Sequence, residues 1–512
     1  MRSITIQHKR KDTKGDKMKY ISTRGQDMGG VSAAYAIKTG LAKDGGLYMP
    51  ELIPTLSLEE IKELISEPYE IRAAKILSKF LTDYTFEELK EDAQGAYSRE
   101  KFGDSPAPVT KLDSDTYMLE LWHGPTCAFK DMALQIMPRL FVRALSKSGE
   151  DKCALILVAT SGDTGKAALE GYKDIEGTKI KVFYPVSGVS RVQKLQMQTQ
   201  DGGNVSVSGI VGNFDDAQNG VKRIFADEDI RASLEKEGVF LSSANSINWG
   251  RLVPQIVYYV SAYCDLVKNN IISLGEKIDV TVPTGNFGNI FAGYIAKLMG
   301  LPIEKLVCAS NMNNVLTDFL KTGRYNRNRD FHATISPSMD ILISSNLERL
   351  LYTMLGSEKC AEYMRKLAAD GEYTLSPEEL SLINSTFIGY CTTEDETKAC
   401  IKNTFKEKNC LIDTHTAVAL NAALTYREDY KAERKMLVVS TASPYKFAYD
   451  CFLAVNGKAA SDELSALSEL EALSGVKIPT PLSSLVGKPV IHTQVIEKEL
   501  MEDTVLAFAK NQ

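Results

Sequence analysis

Histidine and tryptophan are scarce in this chain, five and two among 512 residues. The histidines (His8, His123, His332, His415 and His492) are dispersed, with neither an H-E-x-x-H pair nor a cluster with cysteine, so no structural zinc site is expected. The nine cysteines contain no C-x-x-C pair, and an odd, irregular set argues against a disulfide framework and for a reducing compartment. Long apolar runs are missing too. The densest, Ala154–Ala159, has strand length, far short of the ~18 residues a membrane helix needs. Nor does one sign of charge dominate: 60 Lys and Arg face 66 Asp and Glu, a net charge of −6, without the basic field of general nucleic-acid binding. Met1–Lys17 is polar and basic with no apolar centre, which excludes a secretory signal peptide. The expectation is a soluble cytoplasmic protein with no metal, membrane or nucleic-acid partner. Residues 1–17 read as a disordered extension ahead of an original start at Met18; a transit peptide is the competing reading, opposed by Asp12 and Asp16.

What is present is ordinary globular composition, 44% hydrophobic and 25% charged, enough for roughly two to four domains. Residues 51–100 are rich in helix formers and acids, and Gly103-Asp104-Ser105-Pro106-Ala107-Pro108 reads as a linker, so 18–105 is a small helical N-terminal domain. Beyond it, short β-branched runs alternate with Gly-rich turns and helical stretches. Cys153–Ala159 leads to Thr160–Gly165 and a helix; Lys181–Pro185 is another strand; Ile278–Pro283 leads to Thr284–Asn289 and a helix; Met436–Thr441 turns at Ala442–Pro444. The repetition predicts an α/β architecture, two open sheets of parallel type flanked by helices, over 106–512. Within it, about 150–255 forms a subdomain and about 313–405 a helical insertion.

In open α/β sheets, ligands bind beyond the carboxyl ends of the strands. The Gly285–Asn289 turn is the better phosphate cradle, because two glycines admit close backbone approach and Asn289 can cap the helix. The Ser161–Gly165 turn, with two hydroxyls, suits a carboxylate. Neither carries Walker A or G-x-G-x-x-G spacing, and taken singly each is equally well a plain tight turn. Lys130, beside Phe129 and Asp131, is either a Schiff-base amine made nucleophilic by apolar surroundings or a surface lysine in an ion pair.

His123–Thr126 followed by Ala128–Asp131 resembles the cofactor-lysine motif of threonine synthase, a fold-type II pyridoxal-phosphate enzyme family whose fold is like that of the tryptophan synthase β subunit. Further stretches match in family order: Ser22–Gly25, Gly40–Pro50, Ala159–Gly165, Asn245–Trp249 with Arg251, Gly285–Asn289, Asp413 with His415–Val418, and Ser440–Ala442. The resemblance implies that Lys130 carries pyridoxal 5'-phosphate as a Schiff base and then shuttles protons. It implies that Gly285, Asn286, Phe287, Gly288 and Asn289 bind the cofactor phosphate, and that Thr441 meets the pyridine nitrogen. Ser161 and Thr164 would take the substrate carboxylate, and Asn245 and Arg251 the substrate phosphate. The implied reaction converts O-phospho-L-homoserine and water to L-threonine and phosphate by γ-elimination and β-addition, in a monomer or homodimer. A pyridoxal-phosphate amino-acid dehydratase, a catalytically silent cofactor-binding relative and a nucleotide-binding module are the alternatives. Ser443 and Tyr445 depart from the histidine and alanine more usual in the family, and Trp122 and Cys127 from phenylalanine and leucine. Cys127 is expected to pack, Asn248 to cap or brace its turn, His123 to orient the lysine segment, and Tyr258 and Tyr259 to form a core helix face. His415 either approaches the site or braces a helix start.

Overall fold

The computed structural model describes residues 17–25, 29–160 and 162–510. Sixteen of the seventeen residues read as an extension, and Ser161, lie outside them.

Two parallel-type sheets form the frame. The larger is built from β3 (Val109–Lys111), β4 (Thr116–Glu120), β9 (Ile278–Pro283), β10 (Ile303–Ser310), β13 (Phe387–Cys391) and β14 (Met436–Ser440), in the order β13-β10-β9-β14-β4-β3. Every pairing is parallel except the β3–β4 hairpin. The smaller contains β5 (Cys153–Ala159), β6 (Thr178–Pro185), β7 (Val205–Val211), β8 (Val239–Ser242) and β15 (Val495–Glu497), ordered β15-β7-β6-β5-β8 and wholly parallel. Two antiparallel ribbons complete the strands: β1 (Tyr20–Ser22) with β2 (Tyr48–Pro50), and β11 (Arg324–Asn326) with β12 (Glu372–Thr374).

The apolar runs explain the sheets. A parallel strand is covered on both faces, so it reads as a continuous hydrophobic segment. Ala154–Val158 in β5 and all of β14 are buried accordingly. Helix Trp249–Lys268 is buried nearly all round, which places it between other elements rather than on the surface. Its Trp249 packs against Tyr20 and Phe80 of the N-terminal region. There, helices Leu58–Leu64 and Phe86–Ala96 each start with a reciprocal capping box, Ser57 with Glu60 and Thr85 with Glu88, which explains why the acid-rich stretch folds as helices.

Two segments differ from the sequence expectation. The stretch 313–405 is largely helical, but it also supplies β13, the outer strand of the large sheet. Its signal is interrupted by Gly389, where a Cβ would lie 2.9 Å from the Thr317 backbone of the covering helix Val315–Thr322. The subdomain expected over about 150–255 is joined from the far end of the chain: β15 extends its sheet, and helix Met501–Lys510 packs on it, with Lys179 donating to the Ala509 carbonyl at 2.8 Å.

Strand order positions the site. β9, β14 and β4 are adjacent and parallel, so the segments leaving their carboxyl ends lie side by side: the Gly285 turn, the Thr441 segment and the Lys130 segment. The corresponding end of β5, in the other sheet, opens into the 160–165 turn.

Candidate active site

The lysine segment is fastened to its neighbour by backbone. Phe129 N–H donates to the Thr441 carbonyl (2.8 Å), Ser443 N–H donates to the Cys127 carbonyl (3.0 Å), and Ala128 pairs with Ala442. Gly124 is required in this tight loop, since a Cβ there would lie 2.6 Å from Asp131. Asp131 is buried and receives the Thr126 N–H (2.8 Å) and hydroxyl (2.7 Å); burial pushes its carboxyl up to about 6. Cys127 is buried too, and burial raises its thiol to about 12, which suits packing and not reactivity.

Lys130 Nζ lies 3.4 Å from Ser338 Oγ and 3.8 Å from Asp163 Oδ2, with the Phe129 ring centroid 5.0 Å away. Burial disfavours its ammonium form and brings the amine down to about 8; Asp163 opposes this, while Arg251 and Lys446 assist. Asp163 stands in the first turn of helix Asp163–Tyr172. Burial alone would raise its carboxyl, but Lys446 and then Lys130 outweigh that and hold it well below the usual carboxylate range. The adjacent turn is partly filled from within, because Thr160 Oγ1 accepts the N–H groups of Gly162 (3.0 Å) and Gly165 (2.9 Å). Thr164 stays partly exposed beside it.

The Gly285–Asn289 turn is built differently. Phe287 takes the left-handed conformation (φ 60°) and no side chain caps helix Gly288–Met299, so the amides of its first turn have no intrahelical acceptor. Asn289 does not cap the helix as the sequence suggested. It lies one position inside, where its Oδ1 receives the hydroxyls of Tyr258 (2.5 Å) and Tyr259 (2.7 Å). The two tyrosines thus do more than fill a core face: they brace the turn. Asn289 Nδ2 is buried without a hydrogen-bond partner. Ser344 and Asn346 secure the Gly285 and Asn286 carbonyls, and a Cβ on Gly285 would come within 2.7 Å of the Ser338 carbonyl. Bare helix amides, an orphaned amide donor and a position reserved for glycine fit an anionic group such as the phosphate of a cofactor.

Arg251, in helix Trp249–Lys268, is a buried guanidinium with no carboxylate partner among the described residues. Nη1 donates to the Ala244 carbonyl (2.6 Å), Nε has no partner, and burial lowers the group to about 10. Asn245 is partly exposed nearby in the chain, whereas Asn248 caps the helix through the Gly250 N–H (2.8 Å) and braces the Ile37 carbonyl. Thr441 is buried in the segment paired with the lysine loop.

The histidines divide. His123 stacks on Trp122 and pairs with Glu120 (2.7 Å). His415 does both things considered for it. Asp413 caps helix Thr414–Tyr430 and holds His415 Nδ1 at 3.0 Å, while His415 Nε2 accepts the Ser338 N–H at 3.1 Å, which fixes the proton on Nδ1. Ser338, Asp163 and Lys446 escaped the sequence reading. Ser338 lies in the 313–405 stretch, brought in by a loop whose Asp340 is clamped by Asn311, Asn313 and Thr334.

A buried lysine of lowered basicity beside a bare-amide anion cradle, at the ends of three adjacent parallel strands, defines a pyridoxal-phosphate enzyme of fold type II. Comparison with known proteins agrees. Residues 19–97 match the family "Threonine synthase N terminus" and residues 103–442 the family "Pyridoxal-phosphate dependent enzyme". The chain is similar to threonine synthase of Pseudomonas aeruginosa, 38% identical over 84% of this chain and 89% of that one. It is also similar to human threonine synthase-like 1, 39% identical over 93% of this chain but only 64% of the human protein's length. The crystal structure of the PLP-bound threonine synthase from Brucella melitensis superposes with a TM-score of 0.84 at 36% identity, covering 96% of this chain and all of that one. The chain belongs to the threonine synthase family, and its cofactor is pyridoxal 5'-phosphate. No helix among the described residues is long and apolar enough to cross a membrane.

Proposed function

We propose that the chain converts O-phospho-L-homoserine and water to L-threonine and phosphate. The observation that carries this reading is Arg251: a buried guanidinium without a carboxylate partner among the described residues, whose charge also acts on Lys130. It provides a second anion site besides the Gly285–Asn289 cradle. A substrate phosphate calls for such a site and a dehydratase substrate does not, and a forked cation suits it.

In this reading Gly285, Asn286, Phe287, Gly288 and Asn289 hold the cofactor phosphate, Lys130 carries the cofactor and Thr441 offers a neutral hydroxyl to its ring nitrogen. Bound pyridoxal phosphate supplies the ring that delocalises the electron pairs left by deprotonation next to the substrate amine. The protein's part is binding and proton traffic. Ser161 and Thr164 hold the substrate carboxylate, and Asn245 and Arg251 hold its phosphate. The Lys130 amine, about half of it neutral at pH 8, accepts the proton from Cα, gives it up to become a free base again, and then accepts a proton from Cβ as phosphate leaves Cγ. Water adds its oxygen at Cβ, and protons return to Cγ and Cα, so that one phosphate and one threonine leave for each substrate and water consumed.

The test is release of phosphate and threonine from O-phospho-L-homoserine by the cofactor-loaded chain, with Lys130→Ala alongside. Equal amounts from the wild type and none from the variant are expected. Oxobutyrate in place of threonine, or no phosphate release from a protein that keeps its visible cofactor band, would overturn the reading.

A further inference from the structure

Lys446 has no part in the chemistry above, yet its side chain is inaccessible to solvent at the heart of the site. Its Nζ donates to the Thr126 carbonyl (2.9 Å), to Gln196 Oε1 (3.0 Å) and to Asp163 Oδ1 (2.9 Å). Gln193 Nε2 donates to the same carboxylate oxygen at 2.8 Å. Among the described residues, the other oxygen, Oδ2, receives only the Ser338 hydroxyl, at 3.3 Å, and stands 3.8 Å from Lys130 Nζ. Asp163 is therefore divided. One oxygen is saturated by Lys446 and Gln193, and the remaining one meets Lys130 at a distance beyond a direct hydrogen bond.

We infer that Lys446 is a positioning residue that keeps the Lys130 amine available, because by occupying Asp163 it denies Lys130 the close ion pair that would lock it as an ammonium.

The charges around Lys130 support this. Asp163 faces it from helix Asp163–Tyr172, Arg251 from helix Trp249–Lys268, and Lys446 from the turn that follows β14; Asp131 is its own chain neighbour. Both Asp131 oxygens already accept hydrogen bonds from Thr126. His415 meets the site through the Ser338 backbone N–H. Without Lys446, Asp163 would be a buried carboxylate with Lys130 as its remaining cation, and the Lys130 proton would be held. An ammonium neither attacks a carbonyl nor accepts a proton.

The inference rests on Lys130 as the cofactor lysine, so the experiment reads that amine directly. The titration midpoint of Lys130 is measured in the full-length apo chain by competitive labelling with a trace acylating anhydride across pH, resolved by mass spectrometry. The visible band of the pyridoxal-phosphate-loaded chain is titrated in parallel. Lys446→Met should raise the midpoint by at least about one pH unit, as an unshared carboxylate within ~4–6 Å does. Lys446→Arg should restore it, and Asp163→Asn should lower it. An unmoved Lys130 midpoint in a folded Lys446→Met chain overturns the inference. Should that variant fail to fold, Lys446→Gln carries the same expectation, and an unmoved midpoint in Asp163→Asn is equally fatal. Attachment of cofactor elsewhere is recognised separately, because Lys130→Ala would then keep the visible band.

Discussion

The two glycine-rich turns look alike in sequence and differ in how much of their anion site the protein fills itself. Each follows a buried parallel strand and opens a helix. The 160–165 turn brings its own anion: Thr160 occupies two of its amides and Asp163 places a carboxylate in the first helical turn. The Gly285–Asn289 turn has no cap, turns its Asn289 oxygen toward Tyr258 and Tyr259, and leaves its amides to an outside anion. A strand–turn–helix signature thus shows where an anion can sit. Whether the protein fills that place itself depends on side chains from elsewhere.

The contrast can be tested at decreasing scale. If burial outweighs Asp163 at Lys130, cofactor uptake by the apo chain should rise with the neutral amine, roughly fiftyfold from pH 6 to pH 8 for a group titrating at about 8, and then level off. Stopped-flow absorbance would show it; a rise that continues past pH 10 would mean that the carboxylate of the filled turn dominates. Gly285→Val, which drives a side chain against the Ser338 carbonyl, should weaken cofactor binding about ten- to a hundredfold, ~1–3 kcal/mol. Equilibrium titration of cofactor fluorescence reads this, and unchanged affinity would show that the bare turn is not the cradle. Arg251→Ala should raise the KM for O-phospho-L-homoserine about tenfold or more with little change in cofactor Kd, in line with loss of a charged hydrogen bond; equal losses would remove it from the substrate phosphate. Thr160→Val should cost only about 1–2 kcal/mol in denaturant unfolding and leave cofactor affinity alone, because it orphans amides of the self-filled turn.

Much of the fold was legible because its strands are buried on both faces. Cys153–Ala159 and Ile278–Pro283 are strands over the very residues whose apolar runs marked them. The N-terminal helices were legible in a stretch rich in helix formers and acids, while the Thr85–Glu88 cap at one of their starts is seen only in the structure. β13 and β15 were not legible, being short edge strands, one broken by a glycine and the other returning from the far end of the chain. At the site, Lys130 and the Gly285 turn carry local signals. Asp163, Ser338 and Lys446 do not, because their meaning lies in one another across 175 residues or more. No local pattern distinguishes an aspartate that caps a helix from one that divides its charge between two lysines.

The backbone pairing of Ala128 with Ala442 has a consequence for how the protein can change. It joins the lysine loop and the Thr441 segment through main-chain atoms that no substitution alters directly, and both belong to the large sheet. The turn proposed to take the substrate carboxylate leaves the other sheet. In the proposed reading the cofactor phosphate and the substrate carboxylate are thus held by turns of different sheets, which meet where Asp163 faces Lys130. Substitutions in the smaller sheet's turn that spare Asp163 therefore leave the main-chain bond between the lysine loop and the Thr441 segment as it is.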